Sequence, residues 1–291
     1  MNSNLFHNQI LPYITGIKVS SISKGAISET LILVPPFDEQ EKIVQSLNEV
    51  QLLMTAETKV VNKMKFVKNG CLSKMFPQKD ATVPEMRLPG FTDAWEQRKF
   101  GEITELKSAS RVHKDEWTSN GVPFYRSSDV MAAINGTENE KAYISEELYE
   151  KLSKVSGKLE EGDILVTGGG SVGNPYIVPD NKPLYTKDAD LLWIKNKGKF
   201  HPYFLYEFFF SPTFRNYLGS ISHVGTIAHY TITQLSDTPI CLPSFEEQKE
   251  VGEYFQSLDN LITLHQRKCD KYSSIKKGMM SDLLTGKIRL V

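Results

Sequence analysis

The stretch Val34-Pro35-Pro36-Phe37-Asp38-Glu39-Gln40 decides the fold, because the chain contains it twice. The second copy, Leu242-Pro243-Ser244-Phe245-Glu246-Glu247-Gln248, lies at an offset of 208 residues. The match extends in both directions, so that residues 5–77 repeat residues 213–285, whereas about residues 86–212 have no counterpart. Self-similarity at a fixed offset predicts a repeated architecture. The sequence therefore reads as the end of one repeating unit followed by one complete unit.

Both copies predict the start of a long helix. Pro35 and Pro243 suit a first helical turn, and the acidic residues that follow suit the positive end of a helix dipole. Mostly apolar residues then recur at alternating spacings of four and three. In the first copy they are Ile43, Leu47, Val50, Met54, Glu57, Val61, Met64, Lys68, Cys71 and Met75. In the second copy they are Val251, Phe255, Leu258, Ile262, His265, Cys269, Tyr272, Lys276, Met279 and Leu283.

This spacing is the stripe of a coiled coil sustained over about four heptads. We expect the two helices, each roughly 50 Å long, to pack antiparallel, because a domain between them in sequence can then connect the end of one to the start of the other. The alternative is two amphipathic helices packed on separate cores. Glu57, His265, Lys68 and Lys276 are polar within the stripe, and we expect them to set its register at a cost in stability.

The composition is that of an ordinary globular protein. The 291 residues are 40% hydrophobic and 24% charged, and they suffice for one large domain or two smaller ones. Cys71, Cys241 and Cys269 show no paired or metal-type spacing, which fits a reducing cytoplasm. We see no signal peptide and no apolar run that could span a bilayer, so we expect a cytoplasmic protein without a membrane partner. A net charge of -1 argues against nucleic-acid binding unless positive charge is concentrated locally.

The residues between the helices predict a mixed domain. Short strands are expected at 163–167, 176–178 and Leu191–Ile194, and helices at 143–152 and 201–210. The predicted fold class is α+β (mixed α/β) for this domain, plus two long helices that form an antiparallel coiled coil. The expected boundaries are 1–33 for the remnant of an earlier domain, 34–77 for the first helix, 78–95 for a linker and opening strand, 96–242 for the mixed domain, and 243–291 for the second helix and tail.

A glycine-rich segment superficially matches a nucleotide-binding loop. Gly168-Gly169-Gly170-Ser171-Val172-Gly173 fits the pattern G-x-G-x-x-G, but a dinucleotide site needs a helix whose amino end holds the pyrophosphate. Pro175 and Pro179 flank a β-like stretch instead. We therefore predict a tight glycine turn, with close approach of its backbone to a DNA phosphate as the functional alternative.

Enzyme motifs are incomplete in this sequence. Val34-Pro35-Pro36-Phe37 resembles the motif of amino-group DNA methyltransferases, but those enzymes begin it with a polar residue that accepts hydrogen bonds from the target amine. No Glu-x-Lys or Asp-x-Lys follows Asp180 at a suitable distance, so two metal-binding carboxylates and a lysine are not assembled into a nuclease site. His223 and His229 lack a third zinc ligand. We therefore expect no catalytic site, no metal and no cofactor.

The order and repetition of these segments resemble the specificity subunit of type I restriction–modification systems. Leu88-Pro89-Gly90-Phe91-Thr92-Asp93-Ala94-Trp95 resembles the opening of that family's recognition domains. Glu161-Gly162-Asp163-Ile164-Leu165 and Gly225-Thr226…Thr231-Ile232-Thr233 resemble two other recurrent segments. Each motif is modest alone, but together they cover nearly the whole chain.

The resemblance implies two target recognition domains held apart by two antiparallel helices, each domain reading half of a split DNA site. It implies a non-catalytic subunit whose partners are double-stranded DNA, methyltransferase subunits and a restriction (nuclease-motor) subunit. This sequence departs from that pattern because its first recognition domain is almost absent. A truncated allele, an internal start and a fragment all explain the departure. Self-association of two chains, reading an interrupted palindrome, would restore a two-part reader.

Candidate DNA contacts come from basic and polar clusters, because phosphate contacts supply affinity and base-edge contacts supply specificity. Between Arg98 and Arg126 there are six Lys and Arg residues and four acidic ones, a surplus that an ordinary solvated face explains nearly as well. We expect DNA contacts from Arg111, His113, Lys114, Arg126, Ser127, Lys195, His223, Thr226 and His229.

Two other classes of function compete with the targeting subunit. A methyltransferase or nuclease is opposed by the defective motifs. A coiled-coil scaffold or DNA-binding regulator explains the helices, but not the matched motifs on either side of a domain-sized insert. An enzyme would modify or cut DNA alone, a targeting subunit only with its methyltransferase partner, and a scaffold in neither case.

Overall fold

The computed structural model describes residues 4–15, 21–32, 34–78, 81–187, 190–221 and 229–290. The chain folds as two compact units, residues 1–66 with 259–291 (unit 1) and residues 67–258 (unit 2). Unit 1 begins with the short helices α1 (Asn4–Ile10) and α2 (Lys24–Ser28). The long helix α3 (Phe37–Met75) and the last helix of the chain, Phe245–Leu284, each contribute residues to both units. In the part of the chain that the structure describes, no helix is long and apolar enough to cross a membrane.

Unit 2 contains the mixed domain, whose elements alternate between short strands and helices. In order they are β1 (Glu96–Lys99), α4 (Phe100–Ile103), β2 (Leu106–Ser108), β3 (Trp117–Thr118), β4 (Val122–Tyr125), α5 (Ser127–Asn135), β5 (Ala142–Ile144), α6 (Glu146–Ser156), β6 (Ile164–Thr167), β7 (Pro175–Ile177), β8 (Tyr185–Thr186), β9 (Leu191–Ile194), α7 (Pro202–Phe208), α8 (Pro212–Ile221), α9 (Ile232–Asp237) and β10 (Pro239–Leu242), followed by α10 (Phe245–Leu284). One four-stranded sheet has the order β2-β9-β6-β7, another β3-β5-β4-β8, and β1 pairs with β10. The predicted α+β class is confirmed.

Several predicted elements differ from the observed ones. The strands at β6 and β9 and the helix at α7 are confirmed, although α7 is shorter than predicted. The helix predicted from residue 143 is wrong at its start, because residues 142–144 form β5 and the side chain of Ser145 caps α6 by accepting a hydrogen bond from Leu148 N. The opening strand begins at Glu96, just after the 78–95 segment in which it was expected.

The repeated motif performs the same two tasks in both copies. Gln40 Nε2 donates to the carbonyl of Pro35 at 2.8 Å in unit 1, and Gln248 Nε2 donates to the carbonyl of Pro243 at 3.1 Å in unit 2. Each bond spans the first helical turn, so the glutamine fixes the point at which the chain enters its long helix.

The glutamate of the motif holds an arginine in each unit. Glu39 accepts from Arg289 Nε at 2.7 Å and from the backbone of Leu290 at 3.1 Å. Glu247, its equivalent in the repeat, binds Arg87 through two bonds of 2.7 Å and accepts from the indole of Trp95 at 3.2 Å. Arg289-Leu290 follows α10 and contacts the start of α3, and Arg87, which is followed by Leu88 and comes after α3, contacts the start of α10. Bidentate pairing of each arginine with its glutamate gives the contact a fixed geometry.

The helix segments of unit 1 run antiparallel, as predicted. Lys276 Nζ donates to Gln51 Oε1 at 2.7 Å, and Thr58 lies 3.7 Å from Cys269 between the hydroxyl oxygen and the sulfur. Residue numbers therefore rise along one helix as they fall along the other. His265 and Glu57, which are 208 residues apart and equivalent in the repeat, are hydrogen-bonded between the helices.

The end of α3 also packs on α10 within unit 2. Cys71 Sγ lies 3.3 Å from the hydroxyl of Tyr254, and the rings of Phe76 and Phe255 are 6.2 Å apart. Lys68, predicted to act within the stripe, instead donates to the buried Glu207 of α7 at 2.8 Å. This contact joins the end of α3 to the mixed domain, whose aromatic core includes Phe76, Trp95, Phe100, Phe204, Phe208, Phe209, Phe214 and Phe255.

The ion pair of Glu57 predicts a pH dependence. The hydrogen bond from His265, with help from Lys268, holds the pKa of the Glu57 carboxyl below its ordinary value of 4.5. An acid whose pKa is lowered on folding stabilises the folded state above its ordinary pKa, and this contribution is lost as pH falls through the lowered value. We expect Glu57→Gln to flatten the loss of stability between about pH 5 and pH 2, measured by urea unfolding at a series of pH values. Glu41→Gln, at an exposed position of the same helix, is the control, and equal slopes for both variants would contradict the prediction.

Candidate nucleic-acid interface

Five strand ends meet at one edge of the mixed domain. The amide of Gly168, after β6, donates to the carbonyl of Asp190, before β9, at 2.8 Å. Ser127 Oγ donates to the same carbonyl at 3.0 Å. The amide of Lys187, after β8, donates to Tyr125 at the end of β4 at 2.9 Å, and β2 also ends on this side because Ser108 pairs with Leu192. We name this surface the glycine-loop end; it comprises Arg126, Ser127, residues 168–170, Lys187, Asp190 and His229.

The glycine turn is rigidly built. The amide of Gly173 donates to Thr167 at 2.7 Å, and Thr167 donates in return to Asn174 at 2.9 Å. Gly173 has a φ of +76°, and a Cβ there would lie 2.7 Å from Leu218, so only glycine fits. The next element is β7, so the glycine turn connects two strands.

Arg126 is already committed to contacts within the domain. Its guanidinium lies 5.5 Å from the ring centroid of Trp117, bonds Asp129 at 3.0 Å, and donates to the carbonyl of Glu140. These bonds engage the Nε and Nη2 donors of the guanidinium. Arg126 therefore shapes the start of α5, a role that the sequence did not reveal because Trp117 and Glu140 lie in distant segments.

His229 is the exposed side chain of the glycine-loop end. A Cβ added to Gly169 would lie 3.8 Å from His229 Nδ1 and 3.1 Å from Asp190 Oδ1, so both groups face the glycine turn. The Tyr230 amide donates to the Gly168 carbonyl at 2.8 Å, which fixes His229 beside the turn. His223 and Thr226 lie outside the described residues.

Lys187 and Asp190 were missed by the sequence analysis. They form an ion pair at the centre of the glycine-loop end. No motif marks them, because they are brought to the glycine turn by pairing between strands that are far apart in sequence. Their opposite charges cancel, so this end presents neutral donors and acceptors, which suit base edges better than phosphates.

Arg111, His113 and Lys114 lie in the segment between β2 and β3. All three side chains are exposed, whereas Val112 between them is buried and anchors the segment to the second sheet. Among the described residues, neither Arg111 nor Lys114 has an ion-pair partner. The backbone N–H of His113 donates to Glu116 at 2.7 Å and closes a short turn. The segment thus offers two uncommitted cations on an anchored loop.

Lys195 is separated from the other candidates. It follows the carboxyl end of β9, whereas the glycine-loop end adjoins the amino end of that strand. At the usual rise per strand residue, Lys195 lies about 13 Å from Leu191. Its ammonium lies 5.1 Å from the ring centroid of Trp193, and Lys107 lies 5.7 Å from the same ring on the neighbouring strand. The structure therefore places Lys195 in a second basic cluster, at the other end of the sheet.

Asp163, which lies directly before β6, joins β6 to β9 through its carboxylate. It is fully buried and accepts from the Trp193 indole at 2.7 Å, from the Asn196 amide at 2.7 Å and from the Glu160 amide at 3.0 Å. Burial raises the pKa of the Asp163 carboxyl, and the three donors oppose that rise. Across the described ranges, no group of three His, Cys, Asp or Glu residues could hold a metal ion.

The chain therefore contains a pair of antiparallel helix segments and one α+β domain that presents polar loops. Residues 92–271 match the type I restriction modification DNA specificity domain. The match covers more than half of the chain, and the chain belongs to this family.

The curated relatives are named as specificity subunits of type I restriction enzymes. The specificity subunit of the type I restriction enzyme MjaVIII from Methanocaldococcus jannaschii is 25% identical over 284 residues, covering 94% of this chain and 66% of the relative. A putative type I specificity subunit from Haemophilus influenzae is 24% identical over 266 residues, covering 89% of this chain and 64% of the relative. The chain thus spans just under two thirds of the length of these relatives.

Solved structures share the fold. A chain from a type I restriction–modification complex aligns with a TM-score of 0.63 at 17% identity, covering 98% of this chain and 69% of that chain. The HsdS subunit from Thermoanaerobacter tengcongensis aligns with a TM-score of 0.55 at 16% identity, covering 99% and 68%. At these identities the likeness concerns the fold alone.

Proposed function

We propose that this chain reads a DNA sequence and directs a type I methyltransferase and restriction complex to it, without catalysing a reaction itself. The match of the DNA specificity domain to residues 92–271 carries the proposal. The glycine-loop end and the 111–114 segment support it, because they offer hydrogen-bonding groups and free cations on ordered loops. The test is methylation of DNA by a methyltransferase partner with and without the chain, and methylation or cleavage by the chain alone would favour an enzyme instead.

The proposal divides the chain by role. Residues 96–242 are the recognition domain, residues 34–77 and 243–291 supply the helices that dock methyltransferase subunits, and residues 78–95 connect them. Residues 1–33 are the remnant of a first recognition domain. A nuclease-motor subunit joins this assembly for cleavage, and a coiled-coil scaffold without targeting activity is the alternative.

The candidate residues take different parts in DNA binding. We assign phosphate contacts to Arg111, Lys114 and Lys195, whose ammonium or guanidinium groups face solvent at least in part. His113, Ser127 and His229 supply hydrogen bonds nearer to the bases, and Arg126 holds the loop in place. His223 and Thr226 remain proposed contacts from the sequence.

We expect Arg111→Ala with Lys114→Ala to weaken DNA binding about tenfold or more and to reduce the salt slope by about two. The reason is the loss of two phosphate-binding cations that have no ion-pair partner among the residues the structure describes. Fluorescence anisotropy at several salt concentrations measures both effects. Lys182→Ala is a matched control, because this exposed lysine is paired with Asp180 outside both clusters. If affinity and salt slope stay the same in the double variant, these residues are ordinary surface charge.

We also propose that the active form is a pair of chains. One recognition domain reads half of a split site, and a two-fold pair would read an interrupted palindrome. Light scattering of the complex with methyltransferase subunits should give two copies of the chain. One copy on an asymmetric two-part site would contradict pairing, and absence of methylation would indicate an inactive fragment.

A further inference from the structure

Arg215, on helix α8, is a partly buried cation that has no carboxylate partner among the described residues. Its guanidinium lies 5.5 Å from the ring centroid of Phe210 and 5.7 Å from that of Phe214. Burial lowers the pKa of Arg215 below its ordinary value of 12.5. Because a buried charge without an opposite charge is costly, the position of this arginine points to a role besides stability.

The hydrogen bonds of Arg215 go to residues 172–174, the limb by which the chain leaves the glycine turn. Nη1 donates to the carbonyl of Val172 at 3.3 Å, and Nη2 donates to Asn174 Oδ1 at 3.1 Å. Asn174 Nδ2 donates in turn to the carbonyl of Ser171 at 2.7 Å. The planar guanidinium thus holds two separate acceptors of this limb at once, which a single ammonium group cannot do in the same way.

The other limb of the glycine turn is held by different elements. The amide of Gly168 donates to the carbonyl of Asp190, directly before β9, at 2.8 Å. Between the two limbs, Gly170 and Ser171 form an exposed tip, and a Cβ on Gly170 would meet no atom of the described residues within 4 Å apart from its chain neighbours. Because the strands fix one limb and α8 fixes the other, the orientation of the tip depends on Arg215.

Helix α8 is itself fixed to the end of α3 within unit 2. Thr213 Oγ1 donates to the carbonyl of Pro77 at 2.7 Å. Phe214, the next residue, is buried and packs beneath the turn, because a Cβ on Gly173 would lie 3.0 Å from its ring. Arg215 therefore holds the glycine turn from a rigid support.

We propose that Arg215 is a positioning residue for base reading: its two hydrogen bonds fix Val172 and Asn174, so that the exposed tip of the glycine turn meets base edges in one orientation. Arg215 acts through the turn and not by a DNA contact of its own. This inference rests on the proposed function, because it names a determinant of sequence discrimination in the same recognition domain. A phosphate contact is the other role that a cation can take here, and it predicts a different dependence on salt.

The test compares Arg215→Met with Arg215→Lys in the full chain bound to a compatible methyltransferase. Methionine keeps an unbranched apolar stem but removes the donors, whereas lysine keeps the charge. Arg98→Met is the matched control, because Arg98 is exposed and pairs with Glu96 at 2.8 Å. Fluorescence anisotropy at several salt concentrations is measured with a duplex that carries the site found by methylation mapping and with a duplex of equal length that lacks it.

We expect Arg215→Met to lower the ratio of the two affinities about tenfold, while the affinity for the duplex without the site and the salt slope stay unchanged. Arg215→Lys should keep the salt slope and recover only part of the ratio. Asn174→Ala should also lower the ratio, and the effect of the double variant should be smaller than the product of the single effects, because both changes act on one contact.

A second measurement needs no DNA. In Arg215→Met, hydrogen exchange at residues 172–174 should become about tenfold faster, because their support from α8 is lost, whereas exchange in β6 should stay the same. Arg98→Met should change neither the exchange nor the ratio of affinities. An equal rise of exchange in β6 would indicate a general loss of stability and would contradict a positioning role.

Three binding results would also overturn the proposal. Weaker binding of Arg215→Met to both duplexes, with a salt slope reduced by about one, would make Arg215 a phosphate contact. Full recovery by Arg215→Lys would show that the charge alone suffices, and an unchanged ratio in a folded Arg215→Met chain would leave Arg215 without a part in discrimination. If the parent chain prefers neither duplex, the proposed function itself fails, and that failure is visible before any variant is measured.

Discussion

Glu247→Ala should lower the free energy of unfolding by about 3–5 kcal/mol, because it breaks a buried ion pair by removing one partner. The side chains of Glu247 and Arg87 are 1% and 13% exposed. Without the carboxylate, the guanidinium of Arg87 and the indole N–H of Trp95 lose their acceptor in a site that water barely reaches. Chemical denaturation of the full chain measures the loss.

The repeat supplies a matched control for this variant. Glu39→Ala removes the equivalent glutamate of unit 1, but its partner Arg289 is half-exposed and water can replace the lost bond. We therefore expect a clearly smaller effect. Losses of similar size in the two variants would show that burial of the Arg87 pair does not decide its contribution.

Asp163→Ala should cost about 3–5 kcal/mol, because it leaves one buried and two partly buried N–H donors without an acceptor. The donors are the Trp193 indole and the amides of Asn196 and Glu160. Thermal and urea unfolding measure the loss, and near-ultraviolet circular dichroism reports the packing of Trp193.

Asp163→Asn separates the hydrogen bonds from the charge. The amide keeps one oxygen acceptor but turns a donor toward the remaining N–H groups, so we expect an intermediate loss. A stability of Asp163→Ala within about 1 kcal/mol of wild type would mean that water or a rearranged strand satisfies these donors.

The long helices and their antiparallel seam could be predicted because their signals are local and periodic. Heptad residues such as Ile43, Val61, Val251 and Leu283 are buried as the spacing predicts. The start of each helix was visible because the motif occurs twice. The arginine contacts were missed because Arg87 and Arg289 are 202 residues apart rather than 208, so the ungapped match does not align them.

The candidate interface was only partly predictable. Exposed loop residues such as Arg111 and Lys114 stand out by charge and composition, and the structure leaves them free to bind. The engagement of Arg126 and the position of Lys187 depend on contacts between strands distant in sequence, which periodicity does not report. Lys195 matches the other candidates in chemistry, but the direction of β9 carries it to the opposite end of the sheet.

The most direct test is to map methylated adenines in a host that produces a compatible methyltransferase, with and without this chain. We predict methylation at one defined sequence that appears only when the chain is present, and an interrupted palindrome if two chains pair. Methylation at the same sites without the chain, or no methylation with it while the partner is bound, would contradict the claim that the chain directs the complex to its DNA site.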